Sequence, residues 1–274
     1  MSATGEGHLL ERLIAGSGDV HFWSGRGYAG RPWRELVDDA WRRAAALARL
    51  GVGPGDRVGI VLTNSPDAVT TTIGAWLRGA VVASLPLPAR GQTRDAHRAM
   101  LRAIAIRVEL RTLLVDGGST DAVEGLGVTV AGFDSLVGGV APPRPDPCAP
   151  DRIAFVQFSS GATGVPKGCV LSWRAVDAQV RALQSALEFD PARDSLLSWL
   201  PLSHDMGFFG GVLTPRALGC PVFVGTPERF LTAPGSWLGD CADTGATVTV
   251  GPDFALAVAA RAAARRRPAR RLAL

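Results

Sequence analysis

Residues 51–66 read GVGPGDRVGIVLTNSP, and their punctuation sets the fold. GVGPGD (51–56) has the Gly/Pro density of a turn. VGIVLT (58–63) is short, apolar and rich in β-branched residues, which predicts a buried strand. Asn64 or Ser65 can cap a helix that follows, with Pro66 in its first turn and Gly79 near its end. Working outward, the alternation repeats. Strands are expected at 81–85, 112–116 and 128–131, with a helix over 92–107 between the first two. Upstream, Leu36, Ala40, Leu47 and Leu50 fall at helical spacing in an amphipathic helix over 33–50. Beyond 150, strands are expected at 153–158, 168–172, 196–200, 221–225 and 247–250. Helices are expected at 173–188, near 207–218 and at 254–266. Strands alternating with helices at this spacing favour parallel sheets with helices on their faces.

APPRPDPCAP (141–150) holds five prolines in ten residues, so it is neither a helix nor a central strand. It reads as a connector. The expected fold is α/β, with two doubly wound, mainly parallel sheet subdomains and helices on both faces. These are residues 1–140 and, after the connector at 141–150, residues 151–274, the second incomplete. No repeat of fixed period is present.

Composition bounds the function. A chain of 274 residues suits about two domains at ~150 residues each. Hydrophobic residues at 47% and charged residues at 20% exclude a chain disordered throughout. No apolar run approaches the ~18 residues of a membrane span, and the N-terminus lacks a signal-peptide pattern. Cys148, Cys169, Cys220 and Cys241 form no Cys-x-x-Cys, so no metal ligands are assigned. Free thiols fit a cytoplasmic protein. The formal net charge of +4 is more than accounted for by six arginines at 261–271. That tail reads as a solvated helix end rather than a nucleic-acid site, since no aromatic interleaving accompanies it. Among 29 basic residues there is a single lysine, Lys167.

That lysine closes FSSGATGVPKG (158–168), a loop following an apolar strand. Glycines let backbone N–H groups approach phosphate oxygens, hydroxyls donate further bonds, and lysine adds a compact charge. The loop has neither Walker nor dinucleotide spacing. The other reading is a Gly-rich hairpin turn between two strands.

SSGATGVPKG (159–168) resembles the phosphate-binding signature of the adenylate-forming enzymes: acyl-CoA synthetases, acyl-AMP ligases, peptide-synthetase adenylation domains and luciferases. The family usually has serine where Ala162 stands, so one hydroxyl is lost. SWLPLSHDMGFFGGVLTP (198–215) is similar to the corresponding stretch of fatty acyl-AMP ligases. GVGPGDRVGIVLTNSPD (51–67), GAVVASLPLPA (79–89) and TVTVGPDFALAV (247–258) agree with it.

The resemblance implies ATP-dependent activation of a carboxylic acid, fatty or polyketide-type, as acyl-adenylate. Transfer to a thiol follows, on an acyl carrier protein or coenzyme A. It implies Ser159, Ser160, Gly161, Ala162, Thr163, Gly164 and Lys167 at the nucleotide phosphates, with Mg2+ bridging phosphate oxygens. His204 and Asp205 would be catalytic. Met206, Gly207, Gly211, Gly251 and Pro252 would line the acyl pocket. Read without the family, Asp205 could simply cap the following helix. Phe208 and Phe209 could be core or, with Gly210 and Gly211, line a groove. By the same resemblance these residues are about half of an enzyme. Two alternatives are therefore a non-catalytic fragment or one half of a split enzyme, its other half a partner chain. A third is an acyl-CoA synthetase.

Overall fold

The computed structural model describes residues 8–88, 91–117, 123, 125–139, 149–159 and 166–265. In chain order the elements begin with α1 (Leu9–Ala15), β1 (Asp19–Trp23), β2 (Tyr28–Pro32), α2 (Trp33–Arg49) and β3 (Arg57–Val61). Next come α3 (Pro66–Leu77), β4 (Val81–Leu85), α4 (Arg94–Arg107), β5 (Thr112–Val115) and β6 (Thr129–Gly132). Then follow β7 (Ile153–Ser159), β8 (Lys167–Ser172), α5 (Trp173–Leu187) and β9 (Leu196–Ser198). A π-helix (Met206–Leu213) runs into α6 (Thr214–Ala217), and β10 (Val222–Val224) comes after it. The last elements are α7 (Pro227–Thr232), α8 (Gly235–Thr244), β11 (Val248–Thr249) and α9 (Asp253–Arg265).

The strands form two mixed, mainly parallel sheets, in the orders β6-β5-β3-β4-β7-β8 and β11-β9-β10-β1-β2. By packing, Glu35–Asp177 is one unit, and the described residues of Met1–Arg34 and Ala178–Leu274 are the other. The expected division at 141–150 is therefore corrected. The strands on either side of the proline-rich stretch, β6 and β7, belong to one sheet, and the N-terminal hairpin β1–β2 belongs to the other. Most of 141–150 itself lies outside the described residues.

In the Glu35–Asp177 unit every ladder is parallel except β7–β8. All residues of β4 and β5 are buried, as the continuous apolar runs require of strands covered on both faces. Ser65 caps α3 by accepting from Ala68 N–H at 3.1 Å, and Pro66 opens the helix, as read from the sequence. Trp76 on α3 is fully buried and donates to the Ala154 carbonyl at 2.9 Å, which pins α3 over β7.

In the other unit β1 runs parallel to β10, pairing Val20 with Val222, and antiparallel to β2. This hairpin, like α1, α7 and α8, escapes the sequence reading. In β2 no side chain is buried, so it carries no apolar alternation. The Tyr28 hydroxyl donates to Asp240 Oδ2 at 3.1 Å. Arg229 grips the same carboxylate with both Nε (2.7 Å) and Nη2 (2.6 Å), and its guanidinium lies 3.5 Å from the Trp23 ring centroid. The cluster thus ties the hairpin to α7 and α8.

Burial, and then the Asp240 carboxylate, hold the Tyr28 hydroxyl above its ordinary pKa. A raised pKa stabilises the fold at pH values below about 10, and the contribution is lost above. Since Tyr28 is the single tyrosine, tyrosinate absorbance near 295 nm is expected to stay flat to about pH 11 in folded protein. In denaturant the same residue should titrate near pH 10. A midpoint near 10 in the folded chain would contradict the buried hydrogen bond.

Among the described residues no helix is long and apolar enough to cross a membrane.

Candidate functional site

The phosphate-loop signature begins at the end of β7. Ala154, Phe155 and Val156 bury that strand, and it lies between parallel β4 and antiparallel β8. Ser159 and Lys167 are opposite each other in the last pair of the β7–β8 ladder. Lys167, the last residue of that pair, is exposed. Ser160, Gly161, Ala162, Thr163 and Gly164 lie outside the described residues, as does the side chain of Ser159. Lys167 is thus placed at the end of the β7–β8 ladder.

The second stretch belongs to the other unit. β9 and β11 are adjacent and parallel, with Leu196 opposite Val248. β9 connects forward to β10 on one side, and the chain then returns to place β11 on the other. The strand order reverses at β9, and in open α/β sheets ligands bind beyond the carboxyl ends of strands at such a switch. Two groups of predicted residues leave this edge side by side: His204 to Gly207 after β9, and Gly251 with Pro252 after β11.

The exit from β9 is stiff. Ser198 Oγ accepts from Leu200 N–H at 3.2 Å, and the Pro201 carbonyl accepts from His204 N–H at 3.0 Å. His204, Asp205 and Met206 are all exposed. Asp205 Oδ1 accepts from Met206 N–H at 2.7 Å, so the aspartate does cap the following helix. That helix is a π-helix: Thr214 N–H reaches back five residues to the Phe209 carbonyl. Such wide turns are rare and recur at functional sites. Pro215, which has no N–H to give, follows at once.

The glycines here do different work from that expected. A Cβ on Gly207 would run into the Pro201 carbonyl, and one on Gly211 would lie 2.9 Å from Ser198 Oγ. One on Gly251 would lie 2.5 Å from the Trp237 ring. These three allow close packing against Pro201, Ser198 and Trp237. The space expected at Gly210 and Gly211 is found at Gly210, where nothing lies within 4 Å. Phe208 and Phe209 are buried, which is the core reading of the pair.

Two residues had no role in the sequence reading. Ser198 sets the strand exit. Trp199, also buried, stacks on Phe230 at 3.8 Å and meets Trp237 edge-on, forming an aromatic layer under the switch point. Their signal in the sequence was a small hydroxyl and an indole immediately before Leu-Pro-Leu. Among the described residues no three His, Cys, Asp or Glu side chains gather into a cluster that could hold a metal ion.

The chain thus combines two α/β sheets with a Gly/Ser/Thr-rich sequence after β7 and a His-Asp turn after β9. The family model for AMP-binding enzymes matches residues 20–271, and the chain belongs to that family. It is 30% identical over 242 residues to the long-chain-fatty-acid–AMP ligase FadD26 of Mycobacterium marinum, covering 84% of this chain and 41% of that protein. It is 31% identical over 233 residues to FadD32 of Mycolicibacterium smegmatis, described in the same words, covering 78% and 36%. A structure from a study of fatty acyl-adenylate ligases of E. coli and L. pneumophila superposes with a TM-score of 0.84 at 26% identity. It covers 95% of this chain and 49% of that one. The chain thus spans about two fifths of the length of these curated relatives.

Proposed function

We propose that this chain carries the phosphate-binding and acyl-binding part of an enzyme that activates a carboxylic acid of the fatty or polyketide class. The acid's carboxylate oxygen would bond to the α-phosphorus of ATP, and the bond to pyrophosphate would break. The acyl group would then pass from AMP to a thiol. The observation that carries this reading is the family match over residues 20–271, with similarity to two fatty-acid–AMP ligases over most of the chain. An acyl carrier protein is the favoured acceptor. A medium-chain-fatty-acid–[acyl-carrier-protein] ligase of Teredinibacter turnerae is 38% identical over 112 residues.

In this reading the 159–167 segment holds the outer phosphates of ATP, with Lys167 countering their charge. Two anions must meet, so positioning and charge stabilisation carry the reaction. His204, exposed at the β9 exit, borders the carboxylate. The Asp205 carboxylate is engaged by the helix it caps, so its role is to orient this turn. Met206 and the open side of Gly210 face the acyl chain. Magnesium would be held by the phosphates rather than by this chain. Dependence on ATP suits a cytoplasmic protein.

The test is acid-dependent exchange of labelled pyrophosphate into ATP with short, long and aromatic acids. The chain is assayed alone and with the part of the M. marinum relative that lies beyond the matched region. Exchange is expected with long-chain acids when that part is supplied. Lys167→Ala should lower it by about a hundredfold, the scale of losing one charge-stabilising donor. No exchange with any acid, from folded proteins, overturns the reading. The second reading is a nucleotide-binding part without catalysis of its own. Exchange by the chain alone would remove it.

A further inference from the structure

We propose that the exposed face of α4 is a docking surface for an acidic carrier protein, the one that brings the acceptor thiol. The face is built on a repeat. Arg94, Arg98 and Arg102 recur every four residues, so they form one ridge along the helix, and all three are exposed. Ile106, one further step of four, continues the ridge and is 69% exposed. Ala99 and Ala103, also exposed, flank it with small side chains. His97, Leu101, Ile104 and Ala105 take the opposite, buried face.

This placement works against the helix. Like charges four residues apart are destabilising, and the ridge holds two such pairs. Arg94 is the first helical residue, where the helix dipole disfavours a cation. α4 has four arginines and one acidic residue, Asp95. α2 also has four arginines, but with three acidic residues, and its Arg42 and Arg43 are ion-paired to Asp39 and Asp67. Among the described residues Arg94 and Arg102 make no ion pair. Without the arginines at 261–271 the chain is net acidic, so the ridge is a local feature and not part of a general basic charge. Charge kept at the expense of local stability is expected where a surface meets a partner.

Position ties the ridge to the reaction. His97 Nε2 lies 2.9 Å from the Pro86 carbonyl, which pins the first turn of α4 to the exit of β4. β4 is parallel to β7, with Ser84 opposite Gln157, so Pro86 and Ser159 leave the sheet at the same edge. Arg94 thus stands toward the edge from which the phosphate-loop signature departs, and Arg102 lies eight residues, or ~12 Å, further along the helix. Three cations in a row on a convex face match carboxylates spaced by turns of a partner helix, whereas a small ligand needs a cleft. The identity of the partner rests on the carrier-thiol transfer proposed above. The docking is read by binding, so either can fail without the other.

The test titrates the 274-residue chain into isotope-labelled acyl carrier protein of E. coli, an acidic carrier, in its apo form, which has no thiol arm. NMR shifts report binding. Saturable binding that weakens with salt is expected, since the Debye length falls from ~30 Å at 0.01 M to ~10 Å at 0.1 M. Arg94→Glu with Arg102→Glu should weaken it at least tenfold. The first of these puts an acidic residue where the dipole favours one, so an unchanged thermal midpoint is expected beside the lost binding. Arg34→Glu, at an exposed position on α2, should leave the binding unchanged. Binding that ignores the α4 substitutions, or no binding at low salt, overturns the proposal. So does coenzyme A or duplex DNA that displaces the carrier and itself loses affinity for the double variant, since the ridge would then take polyanions of any kind. Failed pyrophosphate exchange beside intact, α4-dependent carrier binding would count against the chemistry alone.

Discussion

Replacing Gly207 with alanine is expected to cost about 3 kcal/mol of stability and to displace the turn that carries His204. The added methyl would be driven into the Pro201 carbonyl. Side chains can step aside, but this oxygen is backbone, and it is held by His204 N–H in a turn that Ser198 also anchors. The strain therefore falls on the first turn of the π-helix and on the loop together. Overpacking a fitted site costs roughly 1–3 kcal/mol, and the upper end applies where neither neighbour can move. The control is Gly210→Ala, three residues on in the same helix, where a Cβ meets nothing. It is expected to be neutral or slightly stabilising, because alanine is the better helix former by up to ~1 kcal/mol. Denaturant midpoints at unchanged m-value measure both. Equal losses in the two variants would show that backbone conformation, and not the approach to Pro201, is what glycine provides at 207.

The second large effect is expected at Arg216. This side chain is fully buried. Its guanidinium donates to the Cys220 carbonyl at 2.7 Å and to the Ser17 carbonyl, and lies 4.7 Å from the Trp33 ring centroid. No carboxylate bonds to it among the described residues, and burial pushes its pKa down to about 10. Arg216→Ala removes both donors and leaves a hole beside Trp33, a loss of about 3–4 kcal/mol. Arg216→Met fills most of the volume and buries no charge, so about half that loss is expected. A depressed pKa means that the folded state binds its proton less tightly than the unfolded chain does. The arginine's contribution therefore becomes more favourable as pH rises past about 10, and either variant should lose that rise. Thermal unfolding between pH 7 and 10.5 separates the two. Equal losses for Ala and Met would mean that the hydrogen bonds matter and the volume does not.

What the sequence disclosed follows the strength of its local signals. The β3–α3–β4 run was legible because turn, apolar strand, Ser65 cap and Pro66 all agree within a few residues. The strands β7 and β8 were legible from their apolar runs, whereas their antiparallel pairing was one of two readings of the segment between them. The β1–β2 hairpin was not, because its partner β10 lies about 200 residues away and β2 has no buried face to write a pattern. That one long-range pairing also moved the domain division. At the site, the motif located the turn but not its packing. The close neighbours of Gly207, Gly211 and Gly251 in the Cβ direction are brought near only by the fold.

The pairing of Val20 with Val222 has a consequence for how the protein is made. Glu35–Asp177 is continuous along the chain, so it can fold as soon as it leaves the ribosome. The first strand can pair with β2 at once, but its other edge must wait until β10 is synthesised. At ~5–20 residues per second that is a delay of about ten seconds or more. Closing the loop is not the obstacle, since each doubling of loop length adds only ~0.6 kcal/mol. The hazard is the interval, during which Val20 and Phe22 stand exposed on an open strand. A nascent chain of this design depends on holding its own N-terminus in reserve.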